Sequence, residues 1–314
     1  MLRVGLLTTA NINRHLLATR GDSDAYAFVA VGSRERARAE AYAREWELRR
    51  AHGSYEELLA DPEVDAVYVA LPNALHHEWT LRALAAGKHV LCEKPYSRRP
   101  EQVEEAFDAA EASGLVLMEA YMWRHNPLTR RLVELLPEIG RLEAVRATFG
   151  FRLTREVDVR LDPELGGGAL LDVGCYCVSA ARLLAGREPD RVHGEAVRGP
   201  SGVDVRFTGV LRLGETTAEF TAAFTAEHRS LEAIGTEGTL VLADPWHSSD
   251  AQLLLNGEPV RVEPVSSYLL ELENLAAAVR GDAEPLLGRA DALGQARALD
   301  ALLRSAESGA AISL

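Results

Sequence analysis

Lysine is almost absent from this chain. Of its 34 Lys and Arg residues only Lys88 and Lys94 are lysines. Against an arginine background a lysine marks a place where a compact, titratable ammonium is wanted, because a guanidinium does not give up its proton. Cysteine is also scarce. Three residues, Cys92, Cys175 and Cys177, exclude a disulfide framework. Cys175 and Cys177 lie two apart on a predicted helix and face different directions, so they are not a zinc pair. The His76-His77 pair has no further ligand cluster beside it, and no metal site is expected. No apolar run approaches the roughly 20 residues of a membrane helix. Positive charge is short overall. A formal net charge of −13 argues against nucleic acid or an anionic membrane as the main partner, while leaving room for a local basic pocket. The first residues, Met1 to Thr9, read as a strand rather than a secretory leader, so a cytoplasmic location is expected.

At 314 residues two domains are the default. The first 120 residues alternate short apolar runs with amphipathic segments. Strands are expected at 3–7, 28–32, 66–70, 89–92 and 116–119. Helices are expected at 13–20, 34–46, 55–60, 74–86 and 100–113. That alternation predicts an α/β fold with a doubly wound parallel sheet, a Rossmann domain over residues 1–120. Beyond Asn126-Pro127 longer alternating strands dominate, with a hairpin turn at Asn256-Gly257. Only residues 168–185 and the last fifty read as substantial helix. Residues 121–314 are therefore predicted to form an α+β domain with a large, mainly antiparallel sheet, serving substrate binding and oligomerisation.

The first strand-to-helix turn should hold a dinucleotide pyrophosphate. Here it reads Thr8-Thr9-Ala10-Asn11-Ile12, and the three usual glycines would fall on Thr8, Ala10 and Asn13. Thr8 and Thr9 offer hydroxyls in place of bare backbone. The second strand ends in Ser33-Arg34, with Arg38 close behind. A site preferring NAD would place a carboxylate at that end for the ribose diol. A hydroxyl and guanidiniums suit a 2′-phosphate instead, so NADP is expected over NAD. The fourth strand breaks into Leu71-Pro72-Asn73 before a helix carrying His76, presenting polar groups to the cofactor crevice. Asn73 has a competing use as helix N-cap. Lys94, in Glu93-Lys94-Pro95, closes the apolar run Val90-Leu91-Cys92. It lies where ligands bind such sheets, and Glu93 is the candidate to orient it. Lys88, which follows Gly87 in a connection, reads as a surface charge.

Together these residues resemble the Gfo/Idh/MocA oxidoreductase family. The resemblance rests on Ser33-Arg34, Leu71-Pro72-Asn73-Ala74-Leu75-His76-His77 and above all Cys92-Glu93-Lys94-Pro95. In the second domain it rests on Gly166-Gly167-Gly168-Ala169-Leu170-Leu171-Asp172-Val173-Gly174-Cys175-Tyr176. A tyrosine at 176, where many members carry histidine, is similar to the branch of dimeric dihydrodiol dehydrogenases and NADP-linked xylose dehydrogenases. The segment Tyr121 to Pro127 resembles the family's crossing between domains, which implies that Trp123 and Arg124 border cofactor and substrate. The glycine loop is the departure.

The resemblance implies hydride transfer between nicotinamide and a sugar, cyclic polyol or related hydroxy or carbonyl compound. Proton transfer at the substrate oxygen must accompany it. Lys94 and Tyr176 are the catalytic candidates. An ammonium near a phenol favours the phenolate, lowering its pKa from about 10 toward working pH. Asp172, four residues before Tyr176, shares its helix face and is a candidate to bind a substrate hydroxyl, with helix capping as the structural alternative. A homodimer or homotetramer is expected. The rival reading is a catalytically inactive dinucleotide-binding regulatory or sensor protein, to which the eroded glycine loop lends support.

Overall fold

A computed structural model describes residues 1–246 and 251–314. Contacts divide the chain into two compact units. One is Met1–Ser97, Glu101–Met122 and Ser266–Leu293; the other is Arg98–Pro100, Trp123–Val265 and Gly294–Leu314. The sequence reading placed everything after residue 120 in the second domain, whereas the contacts group Ser266–Leu293 with the first. Among the described residues no helix is long and apolar enough to cross a membrane.

The first unit is built on six parallel strands: β1 (Leu2–Leu6), β2 (Tyr26–Gly32), β3 (Arg50–His52), β4 (Ala66–Val69), β5 (His89–Glu93) and β6 (Leu117–Ala120). Their order is β3-β2-β1-β4-β5-β6. The direction of winding reverses between β1 and β4, and the crevice beyond the carboxyl ends of the strands at such a point is where ligands bind. β4 is buried at every position, as a strand covered on both faces must be. The edge strand β3, with the sequence Arg-Ala-His, has no apolar alternation to reveal it. The helix Ser267–Arg280 joins this unit, stacking Tyr268 on His15 at 5.3 Å between ring centroids.

Lys88 is not a surface charge. It is 8 % exposed, and its ammonium donates to the carbonyls of Asp61 at 2.8 Å and Val64 at 2.7 Å. Burial pushes its pKa down, opposed by the nearby Asp61 and Asp65. The slim ammonium thereby satisfies two carbonyls of a loop that the sheet covers.

The second unit carries nine strands: β7 (Leu142–Gly150), β8 (Arg191–Arg198), β9 (Asp204–Leu213), β10 (Thr216–Ala223), β11 (His228–Gly235), β12 (Thr239–Ala243), β13 (Gln252–Leu255), β14 (Glu258–Val260) and β15 (Ile312–Ser313). They form one sheet in the order β14-β13-β12-β11-β7-β10-β9-β8-β15. Neighbours are antiparallel except β7 and β10, which run parallel. Alternation sorts the faces. Phe207, Leu211 and Leu213 of β9 and Ala218, Phe220 and Ala222 of β10 point inward. Arg206, Thr208, Val210 and Arg212 of β9 are exposed. The β13–β14 hairpin turns on Asn256 (φ 52°) and Gly257 (φ 85°), the two left-handed positions of a type I′ turn.

The helix Cys175–Ala185 covers the inner face against β7 and β10. Gln295 ties its start by donating to the Cys175 carbonyl at 2.8 Å. The preceding turn, Leu170–Gly174, is π-helical. Asp204 at the start of β9 caps that turn, its Oδ2 accepting the Leu170 amide at 2.7 Å. Gly168 (φ +126°) is required here, since a Cβ would overlap the Asp204 carboxylate.

Burial raises the Asp204 pKa to about 6, partly offset by the amides it accepts. Displacement from the ordinary 3.8 corresponds to roughly 3 kcal/mol of linkage. A carboxyl raised on folding contributes stability that is fully present below the unfolded pKa and lost as pH rises through the folded one. Thermal melts of the wild type and Asp204→Asn should therefore diverge with pH. The wild type should gain on the variant as pH falls from 7 to 4.5, and a flat difference would remove this assignment.

Candidate active site

The residues standing where glycines were expected turn out to be stitches. The Thr8 hydroxyl donates to the Ala70 carbonyl at 3.1 Å and accepts the Ala10 amide at 3.1 Å. Asn13, fully buried, donates from Nδ2 to the Thr8 carbonyl at 2.7 Å. The end of β1 is thus tied to the end of β4, and the turn is fixed by side chains rather than freed by glycine. This corrects the expectation for Thr8, whose hydroxyl hydrogen is spent inside the protein. Thr9 and Ala10 are half-buried and Asn11 is exposed. Among the described residues the amides of Asn11 and Ile12 have no backbone acceptor, so they remain available to an anion.

At the end of β2, Ser33 is buried and its hydroxyl accepts the Glu35 amide at 3.3 Å. Arg36 pairs with Glu57 at 2.6 Å. Arg34 and Arg38 are exposed and enter no ion pair among the described residues. Two uncommitted guanidiniums beside a buried serine fit a ribose phosphate, and the free amides of the first turn fit a pyrophosphate. The residues present therefore suit a phosphorylated dinucleotide.

The loops after β4 and β5 are fastened to each other. His76 is fully buried; its Nδ1 lies 3.0 Å from the Pro95 carbonyl and its Nε2 2.8 Å from the Leu71 carbonyl. Both nitrogens face protein oxygens, so the ring bridges the two loops. Burial lowers its pKa, opposed by the carbonyls it meets. His77 Nδ1 contacts the Tyr96 hydroxyl at 3.0 Å, and the Tyr96 amide donates to buried Glu119 at 2.7 Å. Asn73 does not cap the helix His76–Ala85, whose N-cap position is Leu75.

Glu93 does hold Lys94, through the backbone. Its Oε2 accepts the Lys94 amide at 3.2 Å, and its Oε1 accepts the Tyr68 hydroxyl. Tyr68 is fully buried, and burial together with Glu93 drives its pKa well up. Glu271, 1 % exposed on the helix Ser267–Arg280, is pushed well above the usual carboxylate range by burial and by Glu93. Tyr68 and Glu271 carry no sequence signal; only folding brings them to Glu93.

In the second unit Asp172 and Tyr176 are the two half-buried positions in the otherwise buried stretch 169–181. Phe149 meets the Tyr176 ring edge-on at 5.2 Å and Trp246 packs on it at 5.7 Å. Trp246 thus forms part of the tyrosine's setting. Trp123 is fully buried, edge-on to Trp246 at 5.4 Å. Arg124 lies 5.9 Å over the Trp123 ring and reaches Ser179 at 3.4 Å. Asp172 does not cap; Arg160 Nε donates to its Oδ2 at 2.7 Å while also pairing with Asp158 at 3.2 Å. The glycines make this possible. The Gly168 amide donates to the Arg160 carbonyl at 2.9 Å, and a Cβ on Gly167 would overlap that same carbonyl.

Residues 2–121 match the Gfo/Idh/MocA oxidoreductase family, NAD-binding Rossmann fold, and residues 130–241 match the Gfo/Idh/MocA C-terminal domain. The chain is 39 % identical over 322 aligned residues to D-xylose 1-dehydrogenase (NADP(+)) 2 of Haloferax volcanii, covering 99 % of each chain. It is 35 % identical to human trans-1,2-dihydrobenzene-1,2-diol dehydrogenase, covering 73 % of this chain and 70 % of that one. Among solved structures, aldose-aldose oxidoreductase from Caulobacter crescentus, complexed with glycerol, superposes with a TM-score of 0.93 at 25 % identity, covering 100 % of this chain and 99 % of that one. A 3-ketoreductase from Actinomadura kijaniata, in complex with NADP and TDP-benzene, gives 0.87 at 30 % identity and covers 97 % of each. This chain belongs to the Gfo/Idh/MocA family of NAD(P)-dependent oxidoreductases.

Proposed function

We propose that the protein oxidises a sugar or polyol carbinol, or reduces the corresponding carbonyl, with NADP. The observation that carries this reading is Lys94 at the carboxyl end of β5, its amide fixed by Glu93, in a chain that otherwise avoids lysine. Bound NADP would supply or accept the hydride. The protein's task is the proton and the orientation of the substrate. Tyr176 takes the hydroxyl proton as the carbinol carbon gives up hydride, and returns it in the reverse direction. Lys94, as an ammonium, polarises the substrate oxygen. Asp172, oriented by Arg160, accepts a hydrogen bond from a neighbouring hydroxyl. Both the NADP-linked xylose dehydrogenase and the NADP complex of the 3-ketoreductase support the cofactor assignment by similarity. Three free, buried thiols suit a reducing compartment, and we place the protein in the cytoplasm.

Lys94→Met and Tyr176→Phe should each lower kcat by about 10²- to 10⁴-fold while NADPH binding, read by fluorescence, persists. A panel of D-xylose, other aldoses, cyclic polyols and trans-diols, followed at the reduced-nicotinamide absorbance, identifies the substrate. Normal turnover in either variant removes the proposed roles.

Arg34→Ala should raise the KM for NADP by about 10- to 100-fold and leave that for NAD unchanged, the loss expected of a charge-assisted phosphate contact. Equal effects on the two cofactors would take Arg34 away from the 2′-phosphate. The outer face of the nine-stranded sheet, with exposed Arg206, Thr208, Val210 and Arg212, is the proposed subunit contact. Light scattering should give the mass of a dimer or tetramer; a monomer at micromolar concentration would withdraw that proposal.

A further inference from the structure

The function proposed above uses the side chain of Lys94 but says nothing of what sets its place. The stem of a lysine hangs from its Cα, so the placement of the main chain sets the region its ammonium can reach. On the upstream side that placement is set by Glu93, which accepts the Lys94 amide and the Tyr68 hydroxyl. On the downstream side the next carbonyl belongs to Pro95, and it faces His76 Nδ1 at 3.0 Å. The opposite nitrogen of the same ring faces the Leu71 carbonyl at 2.8 Å. Leu71 opens the segment that carries Pro72 and Asn73. One rigid, fully buried ring therefore spans the gap between the two strand-end loops.

We propose that His76 is a positioning residue for Lys94, a strut that sets the distance between the loop after β4 and the loop after β5. This rests on the catalytic reading of Lys94. Several features favour a strut over ordinary filling. The ring lies between two carbonyls, donating its one N–H to one of them and packing its other nitrogen against the second. Its contacts are to backbone, which transmits position, and not to mobile side chains. The two carbonyls belong to segments that lie 24 residues apart in sequence and lie two residues beyond the ends of the paired strands β4 and β5, past the last pair of the sheet ladder, Val69 and Cys92. His77, next in the chain, holds the following residue Tyr96 through its hydroxyl at 3.0 Å. The adjacent histidines thus grip consecutive residues directly after Lys94.

The test is a double-mutant cycle on the full-length protein, assayed with NADP and the best substrate of the panel. His76→Ala should lower kcat about 10²-fold, the loss that a misplacement of about 1 Å brings, with the KM for NADP changed less than about 3-fold. His76→Gln, which keeps one donor and one acceptor, should recover part of that loss. In the Lys94→Met background, His76→Ala should change the residual turnover by less than about 3-fold, because the group being positioned is gone. The same fold-loss in both backgrounds overturns the proposal, and so does a collapse of NADP affinity that matches the loss in kcat. Should His76→Ala melt below the assay temperature, the same cycle run with His76→Gln decides the matter by the same criterion. Full turnover in Lys94→Met is a distinct result: it removes the catalytic reading of Lys94 itself, and this inference with it.

Discussion

Backbone polar groups at the carboxyl edge of the parallel sheet must be satisfied, and here buried side chains satisfy them. An orphaned amide or carbonyl in a covered loop costs about 1–3 kcal/mol. Many nucleotide-binding turns meet this constraint with glycine and let the ligand complete the bonding. This chain meets it with Thr8 and Asn13 at the first turn, His76 between the fourth and fifth strand ends, and Glu93 and Glu119 around Lys94. Each contact is made within the protein, without a ligand. The edge is therefore shaped before cofactor arrives, which reduces what binding must spend on ordering loops. The loss of glycines, which read in isolation as decay toward a sensor, is balanced by this internal bonding.

The second unit repeats the device in another form. The turn before the helix Cys175–Ala185 is π-helical, a local widening that recurs at functional sites. Its first amide is met by Asp204, and the glycines ahead of it let the backbone close onto the segment carrying Arg160. Arg160 then meets Asp172 from the side, while Phe149 and Trp246 confine Tyr176. The tyrosine and the aspartate are left as the two half-open positions of a buried stretch. A side chain whose neighbours are fixed loses little further freedom when substrate docks, and preorganisation of this kind makes polar groups effective in catalysis.

What the sequence conveyed, and what it withheld, follows from the range of each interaction. Periodicity is local, so β1, β2, β4, β5 and most strands of the large sheet were legible to within a few residues, and Asn256-Gly257 marked its hairpin. β3 was not, because Arg-Ala-His at a sheet edge has no alternation to detect. Motifs are also local, which is why Lys94, Tyr176, Asp172 and the Ser33-Arg34 end could be named. Partners through space left no trace. Tyr68 and Glu271 lie 25 residues before and 178 residues after Glu93, and no pattern links them. Arg160 sits in an irregular segment, and Trp246 has no motif around it. His76 was noticed for its place in a motif, while the carbonyls of Leu71 and Pro95 that its ring meets carry no sequence signal.

The two lysines make the same point from the side of chemistry. Lys88 and Lys94 both sit at ends of the strand β5 or its approach, and both are places where an arginine would fail for reasons of shape. At Lys88 two carbonyls converge on a point 2.7–2.8 Å from a single nitrogen. A planar fork of five donors would leave several of them buried and unmet. At Lys94 a compact charge on a long stem emerges between two pinned backbone positions. Scarcity of lysine was a fair signal that each survivor had been retained for its ammonium, but the signal could not separate a structural use from a chemical one. The difference lies in the acceptors. Lys88 donates to two backbone carbonyls with Asp61 and Asp65 nearby, an environment that asks for a buried cationic donor. Around Lys94 polar groups are spent on the main chain on either side of the residue, Glu93 on its amide and His76 against the Pro95 carbonyl, which fixes the root of the side chain.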